Sequence, residues 1–193
     1  MIDILFPKLH KEGYRFLAIA VAVTFILLLI SNFFGVISFI ITIWIYYFFR
    51  DPERFSINDK NYLVSPADGV ISQVTEVNGP IELGLEKRKF KRVSIFMNIF
   101  DCHVNRIPCH GTISQIFYKP GKYINASFDK ASDENERNYV KMKSPNGEEL
   151  ILVQIAGLIA RRIVCDVKEN EEIEQGDKFG MIRFGSRVDL YFE

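Results

Sequence analysis

The chain has 193 residues, enough for one folded domain beside a membrane segment but not for several domains. Its 24 lysines and arginines balance its 24 aspartates and glutamates, so the sequence lacks the basic face that a nucleic-acid-binding protein needs. Three cysteines, Cys102, Cys109 and Cys165, follow no zinc-finger spacing, which indicates reduced thiols in a cytosolic domain.

An uncharged apolar block occupies residues 16–49. It is too long for one membrane-spanning helix of about 20 residues and short for two. The polar pair Ser31 and Asn32, followed by Gly35, divides the block, so we predict a helical hairpin with a tight turn at residues 31–35. A signal peptide has a shorter apolar core that ends in a cleavage site of small residues, and no such site follows this block.

The residues that flank the block indicate how it lies in a membrane. Trp44, Tyr46 and Tyr47 stand at its distal end, where interfacial aromatic side chains belong. Cationic residues at both ends favour placing both ends on the cytoplasmic side. We therefore predict an anchoring hairpin over residues 1–50 that either crosses the bilayer twice or dips into one leaflet. The flanking cations are Lys8, Lys11, Arg15, Arg50 and Arg54.

From Asp51 onward, short runs rich in Val, Ile, Phe and Tyr are separated by turn residues, and no useful helical period appears. The Pro-Asn-Gly sequence at 145–147, between two apolar runs, is typical of a hairpin turn. The sequence therefore predicts a mostly β protein. Residues 51–193 are expected to form a compact antiparallel β domain, barrel-sandwich-like and large enough to bury its own core.

Gly185 and Ser186 form the first candidate site. The ordinary interpretation of this pair is a β-bulge or a hairpin turn. In the functional interpretation, glycine adopts backbone conformations closed to other residues, so the peptide bond before Ser186 can be strained. The serine hydroxyl could then attack the preceding carbonyl, exchange the amide for an ester, and leave a pyruvoyl group after elimination and hydrolysis. Such a serine needs a base and a group that stabilises the anion.

Two further residues are candidates for acid–base groups. Asp68 lies in the segment SPADG at 65–69, where Asp-Gly is ordinary turn chemistry, but its carboxylate could also orient a histidine or accept a proton. His103, one of three histidines, lies between apolar residues in a strand-like run and could be structural or catalytic. The segment NERN at 135–138, taken alone, is expected to be a solvated loop.

A metal site built from Cys102, His103, Cys109 and His110 is disfavoured. Neighbouring residues on a strand point to opposite faces, so these four side chains converge poorly on one ion. Their spacing also matches no zinc pattern. We therefore predict that the protein holds no metal.

Taken together and in this order, the motifs resemble those of phosphatidylserine decarboxylases, in particular the short form found in bacteria and archaea. The resemblance covers nearly the whole chain, because the motifs stand in register from the apolar hairpin to the C-terminus. They are FRDP at 49–52, SPADG at 65–69, FMNIFDCHVNR at 96–106, NERN at 135–138, QIAG at 154–157 and FGSRVD at 184–189.

The resemblance implies a self-processing lyase. The proenzyme would cut itself between Gly185 and Ser186 into a β chain, residues 1–185, and an α chain, residues 186–193, that stay associated. Ser186 would become the pyruvoyl cofactor, which forms a Schiff base with phosphatidylserine and accepts the electrons released when carbon dioxide leaves, as pyridoxal phosphate does elsewhere. The product would be phosphatidylethanolamine.

The resemblance also implies roles for the acid–base candidates, with one departure. Asp68 would belong to the self-cleavage machinery, and His103 to catalysis or substrate handling. Longer bacterial members carry a second histidine three residues after the one matching His103, and here that position is Arg106. Their proposed Asp-His-Ser relay therefore cannot be carried over unchanged: either His103 replaces that histidine or Arg106 stabilises the anion. The Gly-Ser-Arg sequence at the cut is typical of the short form.

Other interpretations stay open on sequence alone. A membrane-tethered, lipoyl-like carrier or binding module would need an acceptor lysine at an exposed hairpin tip, whereas Lys141, Met142 and Lys143 lie in a strand-like run. A decarboxylase of archaetidylserine would recognise a similar head group.

We expect an inner-membrane protein with its catalytic domain on the cytoplasmic side, in contact with membrane lipid. A homo-oligomer is one of the states that the sequence leaves open.

Overall fold

The computed structural model describes residues 6–57, 59, 61–123, 134–157, 162–183 and 186–193. The chain divides into two compact units, residues 1–54 and residues 55–193. The first contains a pair of helices and the second is built from antiparallel strands, which confirms the predicted fold class.

The first unit is a helical hairpin made of α1 (Gly13–Ile30) and α2 (Asn32–Phe48). Only Ser31 separates the helices; its extended conformation, with φ −159° and ψ 127°, reverses the chain. The turn is therefore shorter than the predicted 31–35, because Asn32 is already helical. Gly35 allows the helices to approach closely just after the turn, since a Cβ there would lie 2.3 Å from Leu28 Cδ2.

The side chains of the hairpin are arranged with polar groups inside and apolar groups outside. The Thr24 hydroxyl lies 2.8 Å from Ser38 Oγ and 2.9 Å from Thr42 Oγ1, and all three side chains are buried. At the tip, by contrast, Leu29 and Ile30 are 74% and 73% exposed. Helix α1 is long and apolar enough to cross a membrane and could anchor the protein there.

The second unit contains ten strands within the described residues. They are β1 (Val70–Asn78), β2 (Lys89–Met97), β3 (Val104–Arg106), β4 (Gly111–Lys119), β5 (Arg137–Lys143), β6 (Glu149–Ala156), β7 (Ile163–Cys165), β8 (Glu172–Ile173), β9 (Lys178–Ile182) and β10 (Ser186–Phe192). A short 3-10 helix, Ile81–Leu83, lies between β1 and β2.

The strands form two antiparallel sheets. A seven-stranded sheet has the order β1-β2-β10-β6-β5-β4-β8, and a three-stranded sheet has the order β3-β9-β7. The predicted hairpin turn joins β5 to β6, with Gly147 at φ +86°, a conformation that favours glycine. The C-terminal strand β10 thus lies inside the large sheet, paired with β2 on one side and β6 on the other.

Apolar side chains cover both faces of the large sheet. On one face, residues such as Met97, Val188 and Leu190 pack together with Ile182 and Phe179 of the small sheet. The opposite face carries a separate cluster that is centred on Phe90 and Tyr139 and contacts the 3-10 helix. The first of these layers, between the two sheets, contains the candidate site.

Candidate active site

Ser186 is the first residue of β10 and is fully buried. It is paired with Met97 of β2 on one side and with Ala156 of β6 on the other. Within the described part of the chain, its hydroxyl has no hydrogen-bond partner. A buried hydroxyl without a partner is costly and uncommon in folded proteins. Phe184 and Gly185, on the other side of the predicted cut, lie outside the described residues.

The hydroxyl of Ser186 points toward the small sheet. Residues paired across antiparallel strands share a face of the sheet, so Ser186 shares its face with Met97 and Ala156. Both of these residues belong to the cluster that also contains Ile163 and Ile182 of the small sheet. We call this face of the large sheet the Ser186 face.

Asp68 lies on a loop held against the end of β2. The preceding Ala67 is buried in the same cluster as Met97. Gly69 makes the close approach feasible, because a Cβ there would lie 2.4 Å from the Phe96 carbonyl oxygen. Asp68 itself is partly buried. The loop leads into β1, which pairs with β2, and β2 pairs with β10 on its other side.

His103 immediately precedes β3 and is fully buried. Its Nδ1 lies 3.0 Å from the Asp101 carbonyl oxygen. A carbonyl oxygen only accepts, so Nδ1 carries the proton and Nε2 is the basic nitrogen of the neutral ring. The His103 carbonyl accepts a hydrogen bond of 3.4 Å from the Ile182 amide, which continues the pairing of β3 with β9.

Arg106 lies on β3 but turns away from the Ser186 face. Its neighbour Asn105 contacts Met97 and Gln154 of the large sheet, and adjacent residues on a strand point to opposite faces. The guanidinium of Arg106 donates a hydrogen bond of 3.0 Å to the Gly176 carbonyl. The structure therefore does not bring the guanidinium to the face that carries Ser186.

The segment at 135–138 is buried, so its interpretation as a solvated loop is wrong. The exposed fractions are 0% for Asn135, 3% for Glu136, 8% for Arg137 and 3% for Asn138. The segment leads into β5, which lies inside the large sheet and is paired with β4 on one side and with β6 on the other. Asn135 Nδ2 donates to the Ala156 carbonyl at 2.7 Å, which places the motif beside the residue paired with Ser186.

Three buried amides connect these motifs, and the sequence analysis assigned no role to them. Asn138 Nδ2 donates to Gln154 Oε1 at 3.0 Å, and Gln154 Nε2 donates to Asn105 Oδ1 at 2.9 Å. Asn105 Nδ2 in turn lies 3.7 Å from Met97 Sδ. Each of these amides stands at an otherwise apolar position of a strand, which is the feature of the sequence that could have drawn attention to them.

Residues 41–193 match the family model described as phosphatidylserine decarboxylase. The chain belongs to the phosphatidylserine decarboxylase family. A relative from Pelagibacter ubique (strain HTCC1062) is 64% identical over 193 residues, which cover 100% of this chain and 90% of the relative. One from Cereibacter sphaeroides (strain ATCC 17025 / ATH 2.4.3) is 49% identical, covering 99% and 82%. One from Rickettsia typhi (strain ATCC VR-144 / Wilmington) is 52% identical, covering 97% and 81%.

All three relatives carry the name phosphatidylserine decarboxylase proenzyme. The resemblance stated from the motifs is thereby confirmed, and the chain is an enzyme of the carboxy-lyase class. The matched region contains the whole β domain and therefore every residue of the candidate site.

The cysteines and lysines of this decarboxylase family member give little support to the alternative interpretations, a metal site or a lipoyl-like carrier. Burial, with a smaller contribution from Glu148, raises the pKa of the Cys109 thiol to about 11, so the thiol stays protonated near neutral pH. The described residues contain no group of three or more His, Cys, Asp and Glu side chains placed to hold a metal ion. Lys141 lies in β5 and pairs with Glu149 at 2.8 Å, unlike the exposed tip lysine of a carrier domain.

Proposed function

We propose that this chain converts phosphatidylserine to phosphatidylethanolamine and carbon dioxide, after cutting itself between Gly185 and Ser186. Family membership and the names of the relatives support the substrate. The structural observation that supports the mechanism is the buried Ser186 hydroxyl, which has no hydrogen-bond partner within the described residues. It stands at the N-terminal end of β10, where the proposed cut falls.

The self-cleavage that we propose uses only this chain and water. Ser186 Oγ attacks the carbonyl carbon of Gly185, and the C–N bond breaks as an ester forms. Removal of the Cα proton of residue 186 then breaks the Cβ–O bond; the Gly185 carboxylate leaves with the electron pair, and dehydroalanine remains. Water converts the dehydroalanine to a pyruvoyl group and releases ammonia. No oxidant or reductant is required.

His103 and Asp68 are the candidates for the proton transfers that these steps need. The Nδ1–H of His103 is directed to the Asp101 carbonyl, so Nε2 is the basic nitrogen of the neutral ring, and a histidine exchanges protons near neutral pH. We assign His103 to proton transfer and Asp68 to orienting or stabilising the protonated partner. Arg106 receives no role at the anion, because its guanidinium is bonded to Gly176.

The pyruvoyl carbonyl would supply the electron sink for loss of carbon dioxide. The chain's own part is to hold residue 186 at the buried edge of the Ser186 face, between Met97 and Ala156. Burial keeps bulk water from the carbonyl, and His103 would return a proton to the carbon that carried the carboxylate.

The pairing of β10 explains how the α chain, residues 186–193, would stay bound after the cut. It forms backbone ladders with β2 and β6 along nearly its whole length. On the opposite face, Arg187 and Asp189 form a buried ion pair with N–O distances of 2.6 and 2.8 Å. A one-residue slip would turn both charges into the apolar Ser186 face, which opposes slippage.

We further propose that residues 1–50 anchor the enzyme in the inner membrane and that residues 51–193 form the catalytic domain on the cytoplasmic side. The outward-facing hydrocarbon of the hairpin and its buried hydroxyl groups support insertion in lipid. The cationic flanks support the orientation. Such an anchor keeps the enzyme in the membrane that holds its lipid substrate.

An intact-mass spectrum of wild-type protein and of Ser186→Ala tests the proposal. We expect two chains from the wild type, the smaller beginning with a blocked pyruvoyl group, and one full-length, inactive chain from the variant. Ser94→Ala is the matched control, since Ser94 is also fully buried and its hydroxyl also lacks a partner among the described residues. This control should still be cut. Release of carbon dioxide from phosphatidylserine by Ser186→Ala would overturn the pyruvoyl assignment.

A further inference from the structure

A chain of three buried amides crosses from the large sheet to the small one. Asn138 of β5 donates to Gln154 of β6, and Gln154 donates to Asn105 of β3, at 3.0 and 2.9 Å. Gln154 and Asn105 are fully buried and Asn138 is 3% exposed. A buried amide that loses its partner is costly, so these bonds favour one placement of β3 on the large sheet over all others.

The amide chain passes over the strand that begins with Ser186. Gln154 is paired with Val188 of β10, on the Ser186 face. Asn105 contacts Gln154 on one side of β10 and approaches Met97 Sδ to 3.7 Å on the other. Asn105 therefore bridges across β10 within one or two residues of Ser186.

His103 takes its position from the same strand as Asn105. Only Val104 separates the two residues, and the His103 carbonyl still accepts a hydrogen bond from Ile182 of β9. Strand β3 lies at the edge of its three-stranded sheet, and its ladder within the described residues is with β9. The Arg106 amide also donates to the Pro66 carbonyl at 2.9 Å. The Gln154–Asn105 bond joins the side chains of β3 to the large sheet.

We propose that Asn105 and Gln154 are positioning residues that hold His103 in line with the reacting atoms at residue 186. This inference rests on the proposed function, since it assigns a purpose to the placement of His103. Loss of the Gln154–Asn105 bond would leave a buried amide without this partner and would favour a shift of β3. A misplaced general base lowers the rate of the chemical step more than it weakens substrate binding.

Gln154→Leu removes the hydrogen bonds with Asn138 and Asn105, and a longer one of 3.4 Å to the Val164 carbonyl. Leucine fills a similar volume with an apolar side chain. In the full-length processed enzyme, assayed in micelles containing phosphatidylserine, we expect kcat to fall about tenfold or more with KM changed less than about twofold. Should this variant fail to fold, Gln154→Met provides a flexible side chain of similar length for the same measurement.

Two comparisons separate positioning from plain loss of stability. Tyr139→Phe removes a buried bond from Arg137 Nη1, 2.8 Å long, on the opposite face of the same sheet, so it should lower the Tm and leave kcat unchanged. The double variant Gln154→Leu/Asn105→Leu also removes the Asn105 amide, so that no amide at position 105 is left buried without its Gln154 partner. Its Tm should rise above that of Gln154→Leu while kcat stays low.

Recovery of kcat together with Tm in the double variant would show that the amides serve stability alone and would overturn the inference. Wild-type kcat in folded Gln154→Leu would overturn it as well, while the proposed function would stand. Wild-type protein that is neither cut nor active would instead overturn the proposed function. A gel for the cut, a carbon dioxide assay and a thermal melt together distinguish the three results.

Discussion

In the self-cleavage that we propose, the Ser186 hydroxyl has to lose a proton before it attacks, and the two candidate acid–base groups differ in their settings. Asp68 lies on a loop across β2 from Ser186 and is partly buried. His103 is fully buried, and its bond to Asp101 leaves Nε2 as the basic ring nitrogen. These settings favour an orienting or electrostatic role for Asp68 and proton transfer for His103.

Substitutions at these two residues should separate self-cleavage from turnover. Asp68→Asn removes the charge that orients or stabilises a protonated partner, so we expect mainly a block of the cut. His103→Ala should impair turnover at least as much as cleavage. A gel for the 185/186 cut and a carbon dioxide assay on each variant provide the measurement. Full processing with wild-type turnover in His103→Ala would remove His103 from the site.

The Cys109 thiol should react slowly in the folded protein. Because burial and Glu148 raise its pKa to about 11, the reactive thiolate is scarce at pH 8 and becomes abundant only above pH 11. We expect little alkylation of Cys109 by iodoacetamide at pH 8 in native protein and rapid alkylation after denaturation, read by mass spectrometry of the peptide. Fast labelling of the native protein at pH 8 would contradict the buried placement.

At the scale of elements, the hairpin and the β domain both use hydrogen bonds between buried polar side chains to fix how neighbouring elements pack. In the hairpin, Thr24, Ser38 and Thr42 bond to each other inside and leave hydrocarbon outside. In the β domain, the amides of Asn105 and Gln154 bond inside an apolar core that separates two sheets. In both cases the polar groups specify how neighbouring elements pack, because each must find its partner away from water.

The hairpin should hold the protein in the membrane fraction through a high-salt wash. Salt screens the attraction between the cationic flanks and anionic lipids but does not weaken burial of the apolar helices in hydrocarbon. Membranes are washed with about 1 M salt, which reduces the Debye screening length to roughly 3 Å, and are then extracted with detergent. An immunoblot of each fraction shows where the protein is. Extraction by salt alone would favour adsorption at the surface.

At the scale of the whole molecule, the two compact units have separate interiors. The hairpin unit is held by helix packing, and the β unit contains its own clusters around residues such as Leu152, Met97 and Phe90. A domain of roughly 140 residues buries enough surface to fold alone. The catalytic chemistry proposed for Ser186 uses residues of the β unit only.

Deletion of residues 1–49 should therefore leave a soluble domain that still cuts itself. The expected product on a denaturing gel is a shortened β chain, with the 186–193 peptide detected by mass spectrometry. The same deletion combined with Ser186→Ala is the control and should stay uncut. A truncated protein that folds, as shown by a cooperative thermal transition, but stays uncut would mean that the hairpin is needed for self-cleavage.

The sequence by itself determined the fold class, the helical hairpin and the family. The uncharged apolar block at residues 16–49 favours a pair of membrane-anchoring helices, because it is too long for one spanning helix. Short runs of β-forming residues separated by turns, one of them Pro-Asn-Gly, favour antiparallel strands. These features depend on local composition and period, so they can be recognised without knowing which strands are neighbours. The turn at Ser31 was shorter than predicted because close packing at Gly35 and Leu28 brings the second helix directly to the turn.

Only the tertiary structure decided which motif residues share a face. Asn105 and Arg106 are adjacent in the sequence, yet Asn105 faces β10 and Arg106 bonds to Gly176. Side chains alternate between the two faces of a strand, but which face meets the large sheet depends on how the strand is packed. The burial of residues 135–138 has the same origin. A charged and polar segment is predicted to be exposed from its composition, and its burial here follows from its position beside paired strands. Contacts between residues far apart in the chain, such as Gln154 with Asn105, come from sheet pairing and packing, which no local pattern encodes.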